Sequence, residues 1–259
     1  MRSSPPDEVL LDDHQFAAWC ATTAGEVLET LRVGGLAGDD LKHAGDAASH
    51  DLLMHLIGTY RPHDSVLSEE GRDDRRRLET DRVWIIDPVD GTREFSEPPR
   101  SDWAVHVALW KDGDLAAGAV AQPGLGRTFH TGEQFDIPPT LDRIPRIAVS
   151  RTRPAEFVVE MAQEVGAELV PMGSAGAKVM SVVRGVTDAY VHAGGQYEWD
   201  SAAPVAVARV AGLHASRADG RPLKYNQSDV WLPDLLVCRP VLAEPIMAFV
   251  RRRGLLPGA

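Results

Sequence analysis

The chain has 259 residues, of which 44% are hydrophobic and 25% charged, with a formal net charge of −11. Its length suits a large core near the size at which one core divides in two, and its composition is that of a soluble globular protein. The acidic balance argues against a nucleic-acid partner, which needs a basic field, and leaves any anionic substrate to be drawn in by local cations.

Taken in chain order, Met1 to Asp13 carries prolines and acids without the basic and apolar regions of an export signal. No later apolar stretch reaches membrane length, so a cytoplasmic chain with no membrane partner is expected. Phe16, Ala17, Ala18 and Trp19 through Val27, Leu28 and Leu31 predict a helix that ends at Gly34-Gly35. A second helix is expected over Ala47 to Tyr60, with Leu52, Leu53, Leu56 and Ile57 as its buried stripe and Asp46 in the N-cap position. After a short strand, Leu67-Ser68-Glu69-Glu70-Gly71 forms a first acidic cluster, and the alternating charges of Arg72 to Arg77 read as a solvated face or mobile loop.

Val83 to Ile86 is a short apolar run of strand type, which places Asp87 at a strand's carboxyl end, where ligand sites of α/β layers form. Pro88 is expected to stop that strand. Asp87 and Asp90 flank a turn that brings both carboxylates to one point, together with the Val89 carbonyl. A helical turn opened by Gly91-Thr92 would offer free backbone N–H groups to a phosphate. Trp103 to Trp110 and Leu115 to Ala121 read as strands joined by a hairpin at Lys111-Asp112-Gly113-Asp114, and Gly124-Leu125-Gly126 turns the chain toward Thr128 to His130 as an antiparallel meander.

Pro138-Pro139 and Pro145 mark a hinge between an N-terminal α+β subdomain, 1–142, and a C-terminal α/β subdomain, 143–259. In the second half, strands at Ile147 to Val149, Glu168 to Val170, Ala189 to Val191 and Leu235 to Val237 alternate with helices. The helices run over Ala155 to Val165, Gly176 to Arg184, Ser201 to Ala211 and Val241 to Arg252, an α/β layer. Glu198-Trp199-Asp200-Ser201 opens the third of them and supplies a third acidic cluster, with Trp199 as a packing residue that directs Asp200. Cys20 and Cys238 fit no metal-ligand spacing and read as small core hydrophobes. His50 and His55 lie off one helical face, and His106 and His130 sit in strand patterns without a ligand partner nearby in sequence, so packed or exposed imidazoles are expected.

Ser-Glu-Glu-Gly at 68–71, Trp-Ile-Ile-Asp-Pro-Val-Asp-Gly-Thr at 84–92 and Trp-Asp-Ser-Ala-Ala at 199–203 stand in an order and spacing that resembles a known signature set. It is that of the lithium-sensitive, magnesium-dependent phosphatases related to inositol monophosphatase, and the likeness spans roughly Asp46 to Ala215. Three details resemble the 3'(2'),5'-bisphosphate nucleotidase branch, the CysQ-type enzymes. The motif continues Arg93-Glu94-Phe95 where inositol enzymes have Thr-Asn-Phe. Ala193 replaces the Glu that those enzymes place seven residues before the final aspartate. Met172 to Lys178 is similar to the nucleotidase pattern Gly-Gly-Ala-Gly-Asn-Lys.

The resemblance implies an α+β / α/β fold, a layered α-β-α-β-α sandwich. It implies Glu69, Asp87 and the Val89 carbonyl as ligands of one metal, Asp87, Asp90 and Asp200 as ligands of a second, and Glu70 standing behind Glu69. Four acids in one cluster repel by about 4 kcal/mol per pair at 4 Å, so cations are needed. An oxygen-only set suits two or three Mg²⁺ per site rather than zinc, and Li⁺ should inhibit. Thr92, oriented by Asp46, would take the proton of the attacking water, and Gly91, Thr92, Arg153, Gly173, Ser174, Lys178 and Asp200 would contact substrate. Without the resemblance, Lys178 reads as an exposed lysine on a first helical turn.

The implied activity is removal of the 3'-phosphate of adenosine 3',5'-bisphosphate in sulfur assimilation, with 3'-phosphoadenylyl sulfate as a related substrate. Inositol-1-phosphatase and fructose-1,6-bisphosphatase are the enzyme alternatives, and a binding partner of the transcription machinery is the non-enzymatic one. Family members are often homodimers.

Overall fold

The computed structural model describes residues 12–138 and 141–254. The chain opens with helix α1 (Asp13–Arg32), capped by the Asp12 side chain, which accepts from the His14 N–H at 2.8 Å, and continues with α2 (Gly38–Tyr60). Strand β1 (Ser65–Ser68), a 3₁₀ turn over Arg75–Glu79 and strand β2 (Arg82–Asp90) lead into the one-turn helix α3 (Thr92–Phe95). Strands β3 (Ala104–Lys111), β4 (Asp114–Gln122) and β5 (Arg127–His130) complete a first sheet in the order β1-β2-β3-β4-β5, with only β1 and β2 parallel.

The second half comprises β6 (Arg146–Ser150), α4 (Glu156–Val165), β7 (Glu168–Met172), α5 (Ala175–Val183), β8 (Ala189–Tyr197), α6 (Glu198–Val210), β9 (His214–Ser216), β10 (Trp231–Cys238) and α7 (Pro240–Arg253). Its sheet runs β7-β6-β8-β10-β9, parallel on the β7-β6-β8 side and antiparallel on the other. The short β9 carries no strand signal in the sequence.

Side-chain alternation along the strands sets the layers. Trp84, Ile86, Val105 and Val107 face α1 and α2, where Phe16, Leu28 and Leu53 are buried. Val83 and Ile85 point the other way, against Val179 of α5 and Val205 of α6, whose far sides meet Tyr190, Leu235 and Val237 of the second sheet. The outer face of that sheet, with Ile147, Val149 and Leu236, is covered by Met161 of α4 and Phe249 of α7. The result is the expected α-β-α-β-α sandwich. Each sheet is covered on both faces, which is why its strands read as near-continuous apolar runs. Cys20 and Cys238 are both buried and unpaired by disulfide, as expected.

Four expectations change. Asp46 does not precede a helix: α2 begins at Gly38, with Asp39 and Asp40 in its first turn, so Asp46 lies mid-helix and is no N-cap. Acidic residues suit the positive end of the helix dipole, and that moves the start upstream. Pro88 does not end β2. The strand runs on to Asp90 through an irregularity in which Asp87 pairs with His106 and Asp90 with Ala104, so the proline falls where the ladder is already broken. Lys178 is not exposed on its helix but buried.

The fourth change concerns the Arg72 to Arg77 run, which is not simply a solvated face. Arg77 is 1% exposed. Its guanidinium pairs with Asp73 at 2.7 Å and donates to Asn226 Oδ1 at 2.6 Å and to the Gln227 carbonyl at 2.9 Å. The Asn226 and Gln227 N–H groups in turn donate to the buried Glu198 carboxylate at 2.6 and 2.8 Å, so this run anchors the start of α6. Of the expected hinge, Pro139 lies outside the described residues, and Pro145 immediately precedes β6.

Removing a buried guanidinium strands its partners. Arg77→Met is expected to lower stability by about 2–4 kcal/mol, and Arg77→Lys by less, since it keeps the charge and loses the fork. Urea midpoints at unchanged slope check both; equal midpoints for wild type and Arg77→Met would contradict this role.

Candidate active site

The site grows from the irregular end of β2. The Asp87 carboxylate accepts from the Val89 N–H at 3.1 Å, the Pro88 carbonyl accepts from Ser49 Oγ of α2 at 2.8 Å, and the Val89 carbonyl accepts from Thr92 Oγ1 at 3.0 Å. These bonds hold the bulge so that Asp87 and Asp90 face one point. Gly91 follows with φ +83°, a left-handed conformation that glycine adopts without strain, and α3 starts directly after it.

Asp200, in the first turn of α6, accepts from the Tyr197 N–H at 2.6 Å. Asp87, Asp90 and Asp200 each offer an oxygen within 4.8 Å of the others. Glu69 is not one of that close group of three, but it lies near enough for its carboxyl and that of Asp87 to shift each other's titration. Asp46 comes from α2 to hydrogen-bond Thr92.

Electrostatics follows from this crowding. Burial, then Glu69, Asp90 and Asp200, push Asp87 well above the usual carboxylate range. Burial and Asp200 raise Glu69 to about 7, burial and Asp90 raise Asp200 to about 6, and burial and Glu70 raise Asp46 to about 6 against the opposing Thr92 bond. Asp90 differs. Burial opposes its charge too, but His106 and the Ser174 and Gly176 donors outweigh it and hold the carboxyl at about 2.

His106 is the residue that sequence reasoning missed. It lies in the middle of β3, fully buried, with Nε2 3.2 Å from Asp90 and Nδ1 3.1 Å from the Trp199 carbonyl. A Cβ on Gly176 would come within 2.0 Å of Nε2, so the helix start and the imidazole are packed for each other. The available signal was a single polar residue inside Ala-Val-His-Val-Ala, opposite Asp87 once the register is known.

Beside the acids lies a cavity of about 490 Å³ lined by Gly91, Ser174, Lys178, Arg153, Asp90 and Asp200 among others. Ser174 caps α5 and donates to Asp90 at 2.5 Å, while the Ala175 and Gly176 N–H groups donate to Asp90 at 3.1 and 2.6 Å. Burial lowers the Lys178 pKa; its ammonium donates to the Ser174 carbonyl at 2.9 Å and lies 5.2 Å over the Tyr190 ring. Gly173 stands behind the cavity rather than on its lining, its N–H bonded to Asp102 at 2.6 Å. The rim is aromatic: Tyr197 stacks on Trp199 at 4.7 Å and meets Trp231 edge-on at 5.2 Å, with Tyr197 and Trp231 43% and 44% exposed.

The donor set fits a hard divalent cation: three carboxylates, Asp87, Asp90 and Asp200, within 4.8 Å of one another and no thiolate among them. Among the described residues Asp90 Oδ1 accepts the Ala175 N–H alone, which leaves it an open position.

A family model described as the inositol monophosphatase family matches residues 17–136 and 139–252. The 3'-phosphoadenosine 5'-phosphate phosphatase of Mycobacterium leprae is 47% identical over 255 residues, covering 93% of this chain and 94% of that protein. The 3'(2'),5'-bisphosphate nucleotidase CysQ of Escherichia coli is 29% identical over 202 residues, covering 73% of this chain and 81% of its own length. Among solved structures, inositol monophosphatase II from Staphylococcus aureus superimposes with a TM-score of 0.76 at 24% identity, covering 90% of this chain and 92% of that one.

The raised carboxylates make two linked expectations. With Glu69 at about 7 and Asp200 at about 6 in the folded metal-free chain, against about 4 when unfolded, the folded state binds more protons between those values. Stability of the metal-free protein should therefore fall as pH rises from about 4 to 7. Adding Mg²⁺ at pH 7 should release protons and raise Tm, and calorimetry in buffers of different ionisation enthalpy reads that release. Metal binding without proton release would contradict the raised carboxyls.

Proposed function

The chain belongs to the inositol monophosphatase family, and on that premise we propose that it removes the 3'-phosphate of adenosine 3',5'-bisphosphate, the chemistry in the names of its 47% and 29% identical relatives. It is an enzyme, a phosphoric monoester hydrolase of the bisphosphate nucleotidase branch. The single observation that carries the mechanism is the convergence of Asp87, Asp90 and Asp200 within 4.8 Å, beside the opening of α3.

Family members are metal-dependent phosphatases, and here the cations are proposed to be Mg²⁺, held by Glu69, Asp87, the Val89 carbonyl, Asp90 and Asp200, with Li⁺ as inhibitor. When bound, they supply charge for the phosphoryl oxygens and lower the pKa of water. The rest falls to the chain. Thr92, between Asp46 and the Val89 carbonyl, is proposed to take the proton of the attacking water as its own hydroxyl proton passes to the Asp46 carboxylate, and to aim that water in line with the leaving oxygen. The Gly91 and Thr92 backbone orients the scissile phosphate.

Lys178 and Arg153 supply positive charge along the cavity, and the nucleobase is proposed to lie against the aromatic rim of Tyr197 and Trp231. Ala193 on the same lining is supporting ground against inositol, since methyl replaces a hydroxyl-binding carboxylate. A cytoplasmic placement, a role in sulfur assimilation and turnover of 3'-phosphoadenylyl sulfate belong to this reading, as do subdomains divided near residue 142.

Phosphate release with Mg²⁺ from adenosine 3',5'-bisphosphate, inositol 1-phosphate and fructose 1,6-bisphosphate, measured side by side, tests it. A large kcat/KM preference for the nucleotide, abolished in Asp87→Asn, is expected; preference for inositol 1-phosphate would overturn the substrate assignment and keep the metal chemistry. Trp231→Ala should raise KM for the nucleotide by about tenfold, the worth of one stacked base, and leave inositol 1-phosphate turnover near wild type.

A further inference from the structure

Glu94 follows the central motif by two residues, is buried, and has no part in the chemistry above. Its Oε1 accepts from Arg151 Nε at 2.6 Å, and Arg151 Nη2 donates to Glu97 at 2.6 Å. Arg151 is the second residue of Ser150-Arg151-Thr152-Arg153, the segment that leaves β6 of the second sheet. The Arg151 N–H also donates to the Met172 carbonyl of β7 at 3.2 Å. One arginine thus ties the loop to its own sheet through the main chain and to the first half of the chain through its side chain.

The far end of this tie is itself wedged. A Cβ on Gly173 would lie 2.2 Å from Glu94 Cδ, and one on Gly91 would lie 3.4 Å from Glu94 Oε2, so the carboxylate is packed against both glycine backbones. Two residues beyond the tie, Arg153 lines the cavity, its N–H bonded to Ser150 Oγ at 3.3 Å. Its guanidinium finds no partner among the described residues. The segment therefore carries one arginine neutralised by two glutamates and one left open toward the substrate space.

We infer that Glu94 and Arg151 are positioning residues that hold this segment so that Arg153 meets the phosphate of the substrate that is not hydrolysed. The inference rests on the proposed bisphosphate substrate. A ligand with a phosphate at each end presents one to the acidic cluster and needs a cation at a set distance for the other. A guanidinium recognises phosphate through a planar fork, which is effective only when its backbone is held still. Cutting the tie transfers the cost of ordering the loop to the binding step.

The test compares adenosine 3',5'-bisphosphate with adenosine 3'-monophosphate, which lacks the second phosphate, for wild type, Glu94→Gln, Arg151→Gln, Arg153→Gln and the Glu94→Gln/Arg153→Gln double variant. KM for the bisphosphate should rise by about tenfold in each single variant, while Glu94→Gln and Arg151→Gln keep kcat on both substrates and KM for the monophosphate within about twofold. The double variant should lose no more than Arg153→Gln alone, because the two residues act through one contact. Equal losses on both substrates, a fall in kcat, or multiplying effects in the double variant would overturn the inference. Arg151→Lys, which keeps the charge, serves if a glutamine variant fails to fold, and should fall between wild type and Arg153→Gln. Preference of the wild type for inositol 1-phosphate would instead sink the proposed function, an outcome visible before any variant is made.

Discussion

Carboxylates crowded at the end of β2 repel one another, and the arrangement around them exists to hold that repulsion in place. Two charges 4 Å apart cost about 4 kcal/mol even at an effective dielectric near 20, and burial of Asp87 adds to this. Without a cation the cluster answers by holding protons to higher pH: Glu69, Asp87 and Asp200 rise, while Asp90 falls because His106 and the start of α5 donate to it. With a cation those protons leave. The same geometry is the physical ground on which metal, proton and stability are expected to be linked in this chain.

Holding such a cluster takes anchors from both halves of the chain. The bulge in β2 is pinned by Ser49 of α2 and by Thr92, the start of α6 is pinned through Glu198 to Asn226 and Arg77, and His106 bridges from β3 to Asp90 and the Trp199 carbonyl. None of these anchors is itself an acid of the cluster. They come from α2, α3, β3, α6, a 3₁₀ turn and a loop, and Ser49, Arg77, His106, Glu198 and Asn226 are buried, where close packing restricts side-chain movement. Ligands supplied by α6 and β2 thereby meet at a fixed distance although more than a hundred residues separate them in sequence.

The cavity lies on the other side of the same junction. Asp90 is shared between the acidic cluster and the N–H groups of α5, and α5 carries Lys178 into the cavity. The cations there are few and separately held: Lys178 by the Ser174 carbonyl, Arg151 by two glutamates, and Arg153 facing the open space. An overall charge of −11 is compatible with an anionic substrate because the field that matters is local to this cavity.

The order of most strands and helices and the acidic motif were legible in the chain because each rests on local physics: apolar alternation, breakers, and aspartates at a strand end; the five-layer class followed only from the family resemblance. Boundaries that depend on distant partners were not. Asp46 read as an N-cap because its helix starts at Gly38 without a side-chain cap, and Arg77 read as solvated because its partners Asn226 and Gln227 lie about 150 residues on. His106 was passed over for the same reason: strand periodicity identifies a buried position but not what lies across it, and only the β2–β3 register and the approach of Gly176 set the imidazole against Asp90. By itself the sequence determined which acidic groups were available to a site, since side-chain type is a local property. The tertiary structure decided which of them meet, because distances between β2, β3, α5 and α6 are set by packing of whole layers.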